Sequence, residues 1–305
     1  MQVNSEWKDY EVIATGDGNK LERWGKYVLL RPDPQVIWPE SFPLENYKGL
    51  TAKYVRSATG GGHWEYLEPM PENFTVSWRN LTFKLKLMGF KHTGLFPEQA
   101  VNWAKMIDLI TNAGRPVKVL NLFAYTGGAT VACASAGAEV THVDSAKAMV
   151  ERAGENVRLS GLTDAKVRYI IDDCLKFVRR EIKRGRKYDA IIMDPPSFGR
   201  GPGGEMWKIE DNLFSLIRET KEVLSDNPLF YLLNSYKHRA DFRRREQRQN
   251  PFGRVGCPDC DVIALFDAQR HHAARDEIRL VVKFFPGAEV ISVGISYCPT
   301  VRIVF

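Results

Sequence analysis

Cysteine is scarce in this chain: five occur among 305 residues, an odd number. A domain held together by disulfides would have a denser and even set, so a disulfide framework is not expected. Cys133 and Cys174 fall in segments with a helical pattern. We expect both to be buried, free thiols that pack as small apolar side chains.

Long apolar runs are also missing. No segment approaches the roughly 20 consecutive apolar residues that a membrane-spanning helix needs. Residues 1–10 are polar and contain nothing like the apolar core of a signal peptide. The sequence therefore predicts a cytoplasmic protein without membrane contact.

Charge of one sign is not in large excess. The 43 basic and 37 acidic residues leave a formal net charge of +6. Residues 237–305 contain 12 basic and 8 acidic residues, so the preceding part of the chain is nearly neutral. A basic RNA-binding surface is permitted by this distribution but not demanded by it.

The first 90 residues differ in pattern from the rest. Short apolar runs at 27–30, 74–78 and 81–87 are separated by turn clusters rich in Gly, Pro, Asn and Asp. The last of these runs alternates apolar and polar residues, which is typical of a half-buried strand. Five of the seven tryptophans precede residue 80, where large side chains can fill a small core. We predict a small β-rich N-terminal domain over residues 1–90.

From Pro116 onward, strand and helix patterns alternate. Apolar runs at 117–123, 139–143, 167–171, 188–193 and 229–233 predict five strands, with helical spacing of apolar residues between them. This alternation predicts an α/β fold with a Rossmann-like, doubly wound parallel sheet, in a second domain over residues 91–305.

Ligands of such a sheet bind where its strands end. The first strand runs into Asn121-Leu-Phe-Ala-Tyr-Thr-Gly-Gly128, whose glycines allow a tight turn and the close approach of a ligand. This is not the G-x-G-x-x-G pattern that holds a pyrophosphate, so a cofactor without phosphate, such as S-adenosylmethionine, is favoured. A purely structural turn is the alternative.

Acidic residues follow the next two strands. Asp144 can accept hydrogen bonds from both hydroxyls of a ribose, and Asp172 or Asp173 can accept one from the amino group of adenine. Acids are also ordinary at helix starts. Asp144 can be an N-cap, and the other two suit the positive end of a helix dipole.

The fourth strand ends in Asp194-Pro-Pro-Ser-Phe198. Two consecutive prolines fix a rigid loop, which aims the Asp194 carboxylate and the Pro195 carbonyl at one point. These acceptors can hold an amino or ring nitrogen in line with a methyl donor. Phe198 offers a face on which a flat base can stack. The glycine-dense segment 199–204 that follows can be a lid or a flexible connection.

In order and spacing, these segments resemble the motifs of the bacterial large-subunit ribosomal RNA methyltransferase family, a class I S-adenosylmethionine-dependent group. The resemblance covers about residues 8–236. It includes Lys91-His-Thr-Gly-Leu-Phe-Pro-Glu-Gln99, similar to the family segment that closes over the methionine end of the cofactor. It implies that the cofactor is S-adenosyl-L-methionine and the partner is ribosomal RNA. The implied cofactor residues are Phe96, Gln99, Asn121, Tyr125, Gly127, Asp144 and Asp173. The residues implied to face the substrate are Asp194, Pro195 and Phe198.

One departure from the family bears on the reaction. Methylation of cytosine at carbon 5 needs a cysteine thiolate that attacks the ring. Relatives of that kind have the cysteine after the Pro-Pro pair or at the end of the next strand. Those places hold Ser197 and Asn234-Ser-Tyr236 here, which favours a nitrogen acceptor.

A second departure is the atypical tail, residues 237–305, where the family pattern of a helix and two strands is lost. One hypothesis is a shifted reading frame or a gene-model artefact, and its rival is a genuine basic RNA-binding tail. The apolar runs at 280–285 and 290–293 can still supply closing strands. Cys257, Cys260, His271 and His272 lack the spacing of a Cys2His2 zinc site, so no metal is predicted.

The sequence thus predicts an enzyme, a methyltransferase acting on a nucleobase nitrogen in ribosomal RNA. One alternative is a methyltransferase for a small molecule or a protein. A nicotinamide dehydrogenase would share the sheet and Asp144, but the glycine pattern does not support it and it leaves Asp194-Pro-Pro unexplained. A non-catalytic RNA-binding protein is the third alternative. The sequence indicates neither the base nor the oligomeric state.

Overall fold

A computed structural model describes residues 6–57, 61–89, 91–201, 203–204 and 206–234, together with the backbone of four later strands. Cys257, Cys260, His271, His272 and the arginine-rich stretch 237–248 lie outside the described residues. No helix in the described part has the length and apolar character needed to cross a membrane.

The N-terminal region is a five-stranded sheet in the order β1 (Tyr10–Gly16), β2 (Asn19–Trp24), β3 (Tyr27–Pro32), β4 (Leu50–Arg56) and β5 (Gly62–Tyr66). Neighbouring strands are antiparallel except for the parallel pair β3–β4. The turn between β1 and β2 is Asp17-Gly18, both with positive φ, as a two-residue hairpin requires. The predicted β-rich N-terminal region is confirmed.

A separate hairpin, β6 (Phe74–Trp78) and β7 (Leu81–Leu85), joins this region to the second one. The outer edge of β7 is bonded to a helix. The backbone N–H groups of Thr82 and Lys84 donate to the side chains of Ser160 and Asn156, at 3.0 and 2.8 Å. These bonds fix the hairpin against the helical layer of the second region.

The second region is a seven-stranded sheet in the order β10 (Val167–Ile171), β9 (Glu139–Asp144), β8 (Lys118–Leu122), β11 (Ala190–Met193), β14 (Phe230–Asn234), β18 (Cys298–Val304) and β17 (Val293–Ile295). The first five strands in this order are parallel to one another. The helices are α1 (Ala100–Thr111), α2 (Gly128–Ser135), α3 (Lys147–Leu159), α4 (Cys174–Lys183) and α5 (Ile209–Lys221). Short 3-10 helices occupy Leu44–Asn46 and Pro97–Gln99.

Alternate residues of each parallel strand face opposite hydrophobic clusters. Val119 and Ile192 pack with α1, α2 and α3, in a cluster that continues through β6–β7 to Trp24 and Leu29 of the N-terminal sheet. Leu120 and Ile191 pack with α4 and α5. Helices on both faces of a parallel sheet are the doubly wound arrangement, so the predicted fold class is confirmed.

The later strands extend the sheet. β18 (Cys298–Val304) pairs antiparallel with β14, and β17 (Val293–Ile295) pairs with β18. The predicted run 290–293 reaches β17. The run 280–285 instead forms β16 (Arg279–Lys283), which pairs with β15 (Asp261–Leu265) in a separate sheet. These strands do not test the hypothesis of a shifted reading frame in residues 237–305.

Candidate cofactor and acceptor site

The chain order of the strands reverses between β8 and β11, which places a crevice above their carboxyl ends. The structure brings the segments that follow these strands to one edge of the sheet: the turn 123–128 after β8, Asp144 at the end of β9 and Asp194 after β11. Asp172 and Asp173 follow β10, at the same edge. The strand alternation thus places most of the predicted site residues on the edge where a ligand binds.

The turn after β8 is strained and internally bonded. Phe123, Tyr125 and Gly127 all have positive φ, at 54°, 51° and 84°. The N–H groups of residues 123, 124, 125 and 127 donate to Cys174 Sγ, Val143 O, Asp144 Oδ2 and Ala124 O. A pyrophosphate-binding turn needs such N–H groups free to face the ligand. This turn is therefore poorly suited to a dinucleotide.

The two glycines of the turn allow close packing of the neighbouring helices. A Cβ at Gly127 would lie 2.7 Å from the Cβ of Ala153 in α3. A Cβ at Gly128 would lie 2.6 Å from Cζ2 of Trp103 in α1. Close packing of α2 is therefore a structural reason for both glycines, in line with the alternative of a structural turn. A cofactor contact at Gly127 stays a prediction.

Gly127→Ala is expected to lower the free energy of unfolding by roughly 2–4 kcal/mol, because it adds backbone strain and a clash with Ala153. Gly137→Ala is a matched control. Gly137 also has a positive φ, of 87°, but an added Cβ there would meet nothing within 4 Å. Urea unfolding of both variants checks this, and equal losses would contradict the packing argument.

Asp144 links two segments at the mouth of the crevice. Its Oδ2 accepts from the N–H of Tyr125 at 2.8 Å, and its Oδ1 accepts from the N–H of Ala146 at 2.9 Å. The N-cap of α3 is Ala146 itself, so the alternative of Asp144 as N-cap is wrong. Burial raises the pKa of Asp144, against the effect of these backbone bonds. Each oxygen keeps a lone pair for a further donor.

The two acids after β10 have ordinary structural partners. Asp173 is the N-cap of α4, and its Oδ1 accepts from the N–H of Lys176 at 2.9 Å. Asp172 accepts from the N–H of Asp173 and forms an ion pair with Arg180. The two acids therefore stabilise the start of α4, which was the alternative to a role in binding. A cofactor contact of Asp173 stays a prediction.

Asn121 belongs to a buried polar chain inside the sheet. Its Nδ2 donates to Thr130 Oγ1 at 3.0 Å, and Thr130 Oγ1 lies 2.9 Å from Nδ1 of His142. Burial lowers the pKa of His142 to about 4, so this imidazole is neutral at pH 7. The Asn121 amide nitrogen thus connects β8 to α2. Its predicted cofactor contact is not tested by this geometry.

The segment 91–99 is tied down on two sides. Lys91 Nζ donates to Pro32 O at 2.8 Å, and Arg31 donates to Lys91 O at 3.1 Å. On the other side, Thr126 Oγ1 donates to Gly94 O at 2.6 Å. The N-terminal sheet and the β8 turn therefore position this segment together.

Phe96 and Tyr125 are brought together by these tethers. The centroids of their rings lie 5.6 Å apart, and Phe96 is 36% exposed. The hydroxyl of Tyr125 is buried and has no hydrogen-bond partner among the described residues. A buried donor without a partner is costly, so the Tyr125 hydroxyl is a candidate for a contact that the described residues do not supply.

Arg31, which holds the segment 91–99, belongs to an ion pair inside the N-terminal sheet. Arg31 donates to both oxygens of Glu22, at 2.5 and 3.0 Å, and the Glu22 side chain is fully buried. Tyr10 and Lys20 also contact this carboxylate, at 2.6 and 3.2 Å. Burial alone would raise the pKa of Glu22, but Arg31 and Lys20 outweigh it and hold the pKa at about 2.

Three buried amides form a cluster that the sequence interpretation missed. Gln99 Oε1 accepts from Nδ2 of Asn102 at 2.7 Å and from Nδ2 of Asn234 at 3.1 Å. Asn102 also donates to Asn234 Oδ1, at 3.4 Å. These bonds fix the orientation of the Gln99 amide, whose Nε2 keeps the donors that a ligand needs. The only sequence signal was an Asn at the end of β14.

The acceptor residues follow β11. Pro195 is buried and Asp194 is half-buried, whereas Phe198 is 55% exposed. Burial and the nearby carboxyl of Glu98 raise the pKa of Asp194 from 3.8 to about 7. Burial also raises the pKa of Glu98. Glu98 was not predicted as a site residue, although it lies within the segment 91–99.

The segment after Asp194 includes a short hairpin around the glycine-rich stretch, and the two alternatives for that stretch, a lid and a flexible connection, stay hypotheses. β12 (Phe198–Arg200) pairs antiparallel with β13 (Met206–Lys208). Trp207 anchors it, because its indole N–H donates to Pro196 O at 2.6 Å and its ring packs 5.0 Å from that of Phe123.

Comparison with models of protein families identifies the family of this chain. The model of the S-adenosylmethionine-dependent methyltransferases matches residues 20–247. The chain belongs to this family. The resemblance inferred from the motifs is thereby confirmed, and the cofactor of the family is S-adenosylmethionine.

Several proteins similar to this methyltransferase are named as methyltransferases of ribosomal RNA. The ribosomal RNA large subunit methyltransferase K/L of Shewanella frigidimarina is 30% identical over 201 residues, which are 65% of this chain and 27% of that protein. The ribosomal RNA large subunit methyltransferase K of Neisseria meningitidis is 26% identical over 242 residues, covering 73% of this chain and 64% of that protein. This chain spans about a quarter of the length of the K/L relatives.

A solved structure is also similar. The S-adenosylmethionine-dependent methyltransferase of Agrobacterium tumefaciens is 39% identical, with a TM-score of 0.74, and the match covers 80% of this chain and 78% of that one.

The residues at the crevice of this methyltransferase fit S-adenosylmethionine. The cofactor has ribose hydroxyls and an amino group that donate to carboxylates, and it has no phosphate. Asp144 offers acceptors, the Tyr125 hydroxyl is an unpartnered buried group, and the N–H groups of the β8 turn are already occupied. A dinucleotide would also use an acid such as Asp144, but it would need free N–H groups in the turn for its pyrophosphate.

Proposed function

We propose that the chain transfers a methyl group from S-adenosylmethionine to a nucleobase nitrogen in ribosomal RNA. The observation that carries the proposal is the half-buried Asp194 at the crevice, whose pKa of about 7 suits a proton acceptor at neutral pH. The names of the relatives support ribosomal RNA as the substrate. We also propose a cytoplasmic location and a division of the chain into two domains, residues 1–90 and 91–305.

The cofactor is held by residues on both sides of the β8 turn. Asp144 would accept hydrogen bonds from the ribose, and Asp173 would accept one from the adenine. Phe96, Gln99, Asn121, Tyr125 and Gly127 complete the predicted cofactor set. When bound, S-adenosylmethionine supplies a methyl group on a positively charged sulfur.

The substrate is held by the residues after β11. The Pro195 carbonyl accepts from the target amino group, and Phe198 stacks on the base. Asp194 accepts the proton that leaves the target nitrogen as positive charge develops on it. Holding the nitrogen in line with the methyl group supplies most of the remaining rate enhancement.

A nitrogen acceptor is favoured because, among the side chains that the structure describes, no thiol is placed for attack on a ring carbon. Both cysteines with described side chains are buried, as expected. Cys174 Sγ accepts from Phe123 N–H inside the turn. Asn234, at the end of β14, donates to Gln99 instead. Carbon-5 chemistry therefore lacks its nucleophile in this part of the chain.

Calorimetric titration of the full chain tests the cofactor. We expect micromolar binding of S-adenosylmethionine and none of NAD. Asp144→Ala should weaken binding about 10- to 150-fold, because it removes hydrogen bonds to a charged group. The matched control is Asp164→Ala, at an exposed position before β10. A folded wild type that ignores the cofactor, or equal losses in both variants, would contradict the assignment.

Methyl transfer from labelled cofactor to unmodified large-subunit ribosomal RNA tests the substrate, with transfer RNA and a mixture of proteins as competitors. Nucleoside mass spectrometry should place the methyl group on a base nitrogen. Label on carbon 5, or in the protein fraction only, would overturn the proposed substrate while leaving the cofactor assignment in place.

A further inference from the structure

The hairpin β12–β13 has two unlike faces. In its register, Phe198 is paired with Lys208, Gly199 with Trp207 and Arg200 with Met206. Because side chains alternate along a strand, Gly199 and Trp207 share the inner face. Trp207 is 9% exposed, and the N–H of Ile209 donates to Ser197 O at 3.1 Å. The hairpin is therefore fixed to the protein by its inner face and its base.

The outer face carries the other four side chains: Phe198, Arg200, Met206 and Lys208. All four are exposed, with Phe198 at 55% and Met206 at 53%. Each apolar side chain stands directly across from a basic one. Cross-strand neighbours lie about 5 Å apart and next-but-one residues about 7 Å apart, so the patch is large enough for one base and the two phosphates beside it.

The charges of this outer face are available to a partner. Within the part of the chain that the structure describes, neither Arg200 nor Lys208 forms an ion pair. Exposure of aromatic and thioether groups to water is unfavourable. Together with the neighbouring unpaired cations, these groups match a ligand with flat apolar faces and regular negative charges. Unpaired nucleic acid has both, whereas a duplex hides the faces of its bases.

We propose that the outer face of this hairpin binds the unpaired nucleotides that flank the target base. The inference rests on the proposed function, because β12 begins four residues after Asp194 and so continues the acceptor site outward. Met206 contacts the face of a flanking base, Arg200 and Lys208 contact phosphates, and Phe198 stacks on the target base beside them. Single-stranded RNA is thereby selected over a duplex, and flanking nucleotides contribute to the recognition of the site.

The test is binding of a fluorescent 12-nucleotide oligouridylate, and of a duplex of equal length, to the full chain at 50 and 200 mM salt. The double variant Arg200→Gln with Lys208→Gln should bind the single strand more weakly. The slope of log affinity against log salt should fall by about 0.7 for each lost phosphate contact. Because two contacts are lost, the ratio of wild-type to double-variant affinity should fall about sevenfold between 50 and 200 mM salt.

Two further variants separate local contacts from bulk charge. Lys118→Gln with Arg186→Gln removes the same charge at the opposite edge of the sheet and should leave both affinity and slope nearly unchanged. Phe198→Leu should weaken single-strand binding about 5- to 150-fold without changing the slope, because stacking is not ionic. Equal losses from both double variants, or equal losses of single strand and duplex, would overturn the proposal.

Binding of S-adenosylhomocysteine, measured on the same preparations, keeps this inference distinct from the proposed function. If the wild type binds the cofactor product but the hairpin variants bind RNA normally, the hairpin proposal fails alone. If the wild type does not bind S-adenosylhomocysteine, the proposed function fails whatever the RNA result.

Discussion

Replacing Asp194 with Asn is expected to lower the rate constant of methyl transfer about 10²- to 10⁴-fold, the usual contribution of a positioned proton acceptor. Asn is close to Asp in shape, so the loop keeps its form while the acceptor of the proton is lost. The measurement is single-turnover transfer to the RNA substrate with saturating cofactor. Asp226→Asn is the matched control at an exposed position.

The pH profile of this reaction gives a sharper criterion. The carboxyl is active when ionised, and its pKa lies at about 7, so kcat/KM of the wild type should rise through pH 7 and then level off. Asp194→Asn should lack this inflection. Glu98→Gln should shift it to lower pH, because it removes the nearby carboxyl. An unchanged profile in Asp194→Asn would show that another group accepts the proton.

Stability should change in the opposite direction. The folded state raises the pKa of Asp194 above its ordinary value of 3.8, so it binds more protons than the unfolded chain between pH 4 and 7. Stability is therefore lost as the pH rises through this window. Asp194→Asn removes the penalty and is expected to gain up to about 4 kcal/mol at pH 8. A variant that is less active and more stable would identify Asp194 as a strained functional group.

Glu22→Gln is expected to lower the free energy of unfolding by about 3–5 kcal/mol, because it leaves the buried Arg31 guanidinium without a charge partner. The measurement is urea unfolding at pH 7. Glu11→Gln is the matched control, since Glu11 pairs with Arg23 at 3.3 Å but is 62% exposed. Its loss should stay below about 1 kcal/mol.

The pH dependence of this effect follows from the lowered pKa of Glu22. The carboxylate contributes its full stabilisation above its ordinary pKa of 4.5 and loses it as the pH falls toward about 2. The stabilities of wild type and Glu22→Gln should therefore converge on acidification. The double variant Glu22→Leu with Arg31→Met should recover part of the loss, because no buried charge is left alone. No recovery would show that the charge is not the cause.

The parallel sheet was predictable because its strands are short, mainly apolar runs that alternate with helical patterns, and its central strands β8, β11 and β14 are largely buried. The predicted run 188–193 was too long, since Tyr188 and Asp189 form bonds outside the ladder before β11 begins. Helix α1 was missed although Ala100, Trp103 and Met106 recur at helical spacing. The strand alternation was enough to place Asp144 and Asp194 at one edge of the sheet.

The rest of the site depends on contacts between distant residues. Gln99 and Asn234 are 135 residues apart, and no local pattern links their amides. The hairpin β12–β13 forms because Trp207 packs on Phe123, which overrides a glycine-rich segment typical of a loop. Gly127 and Gly128 are explained by Ala153 and Trp103, neither of which is adjacent in sequence.

The cluster that runs from Trp24 through Trp78 to Val119 has a consequence for how the molecule comes apart. Trp78 and Trp103 are in edge contact at 5.5 Å, so the N-terminal strands and the parallel sheet share one apolar interior. Neither part can open without exposing the other to water. The two parts should melt in a single cooperative transition, and a fragment without the N-terminal strands should aggregate rather than survive as an independent enzyme core.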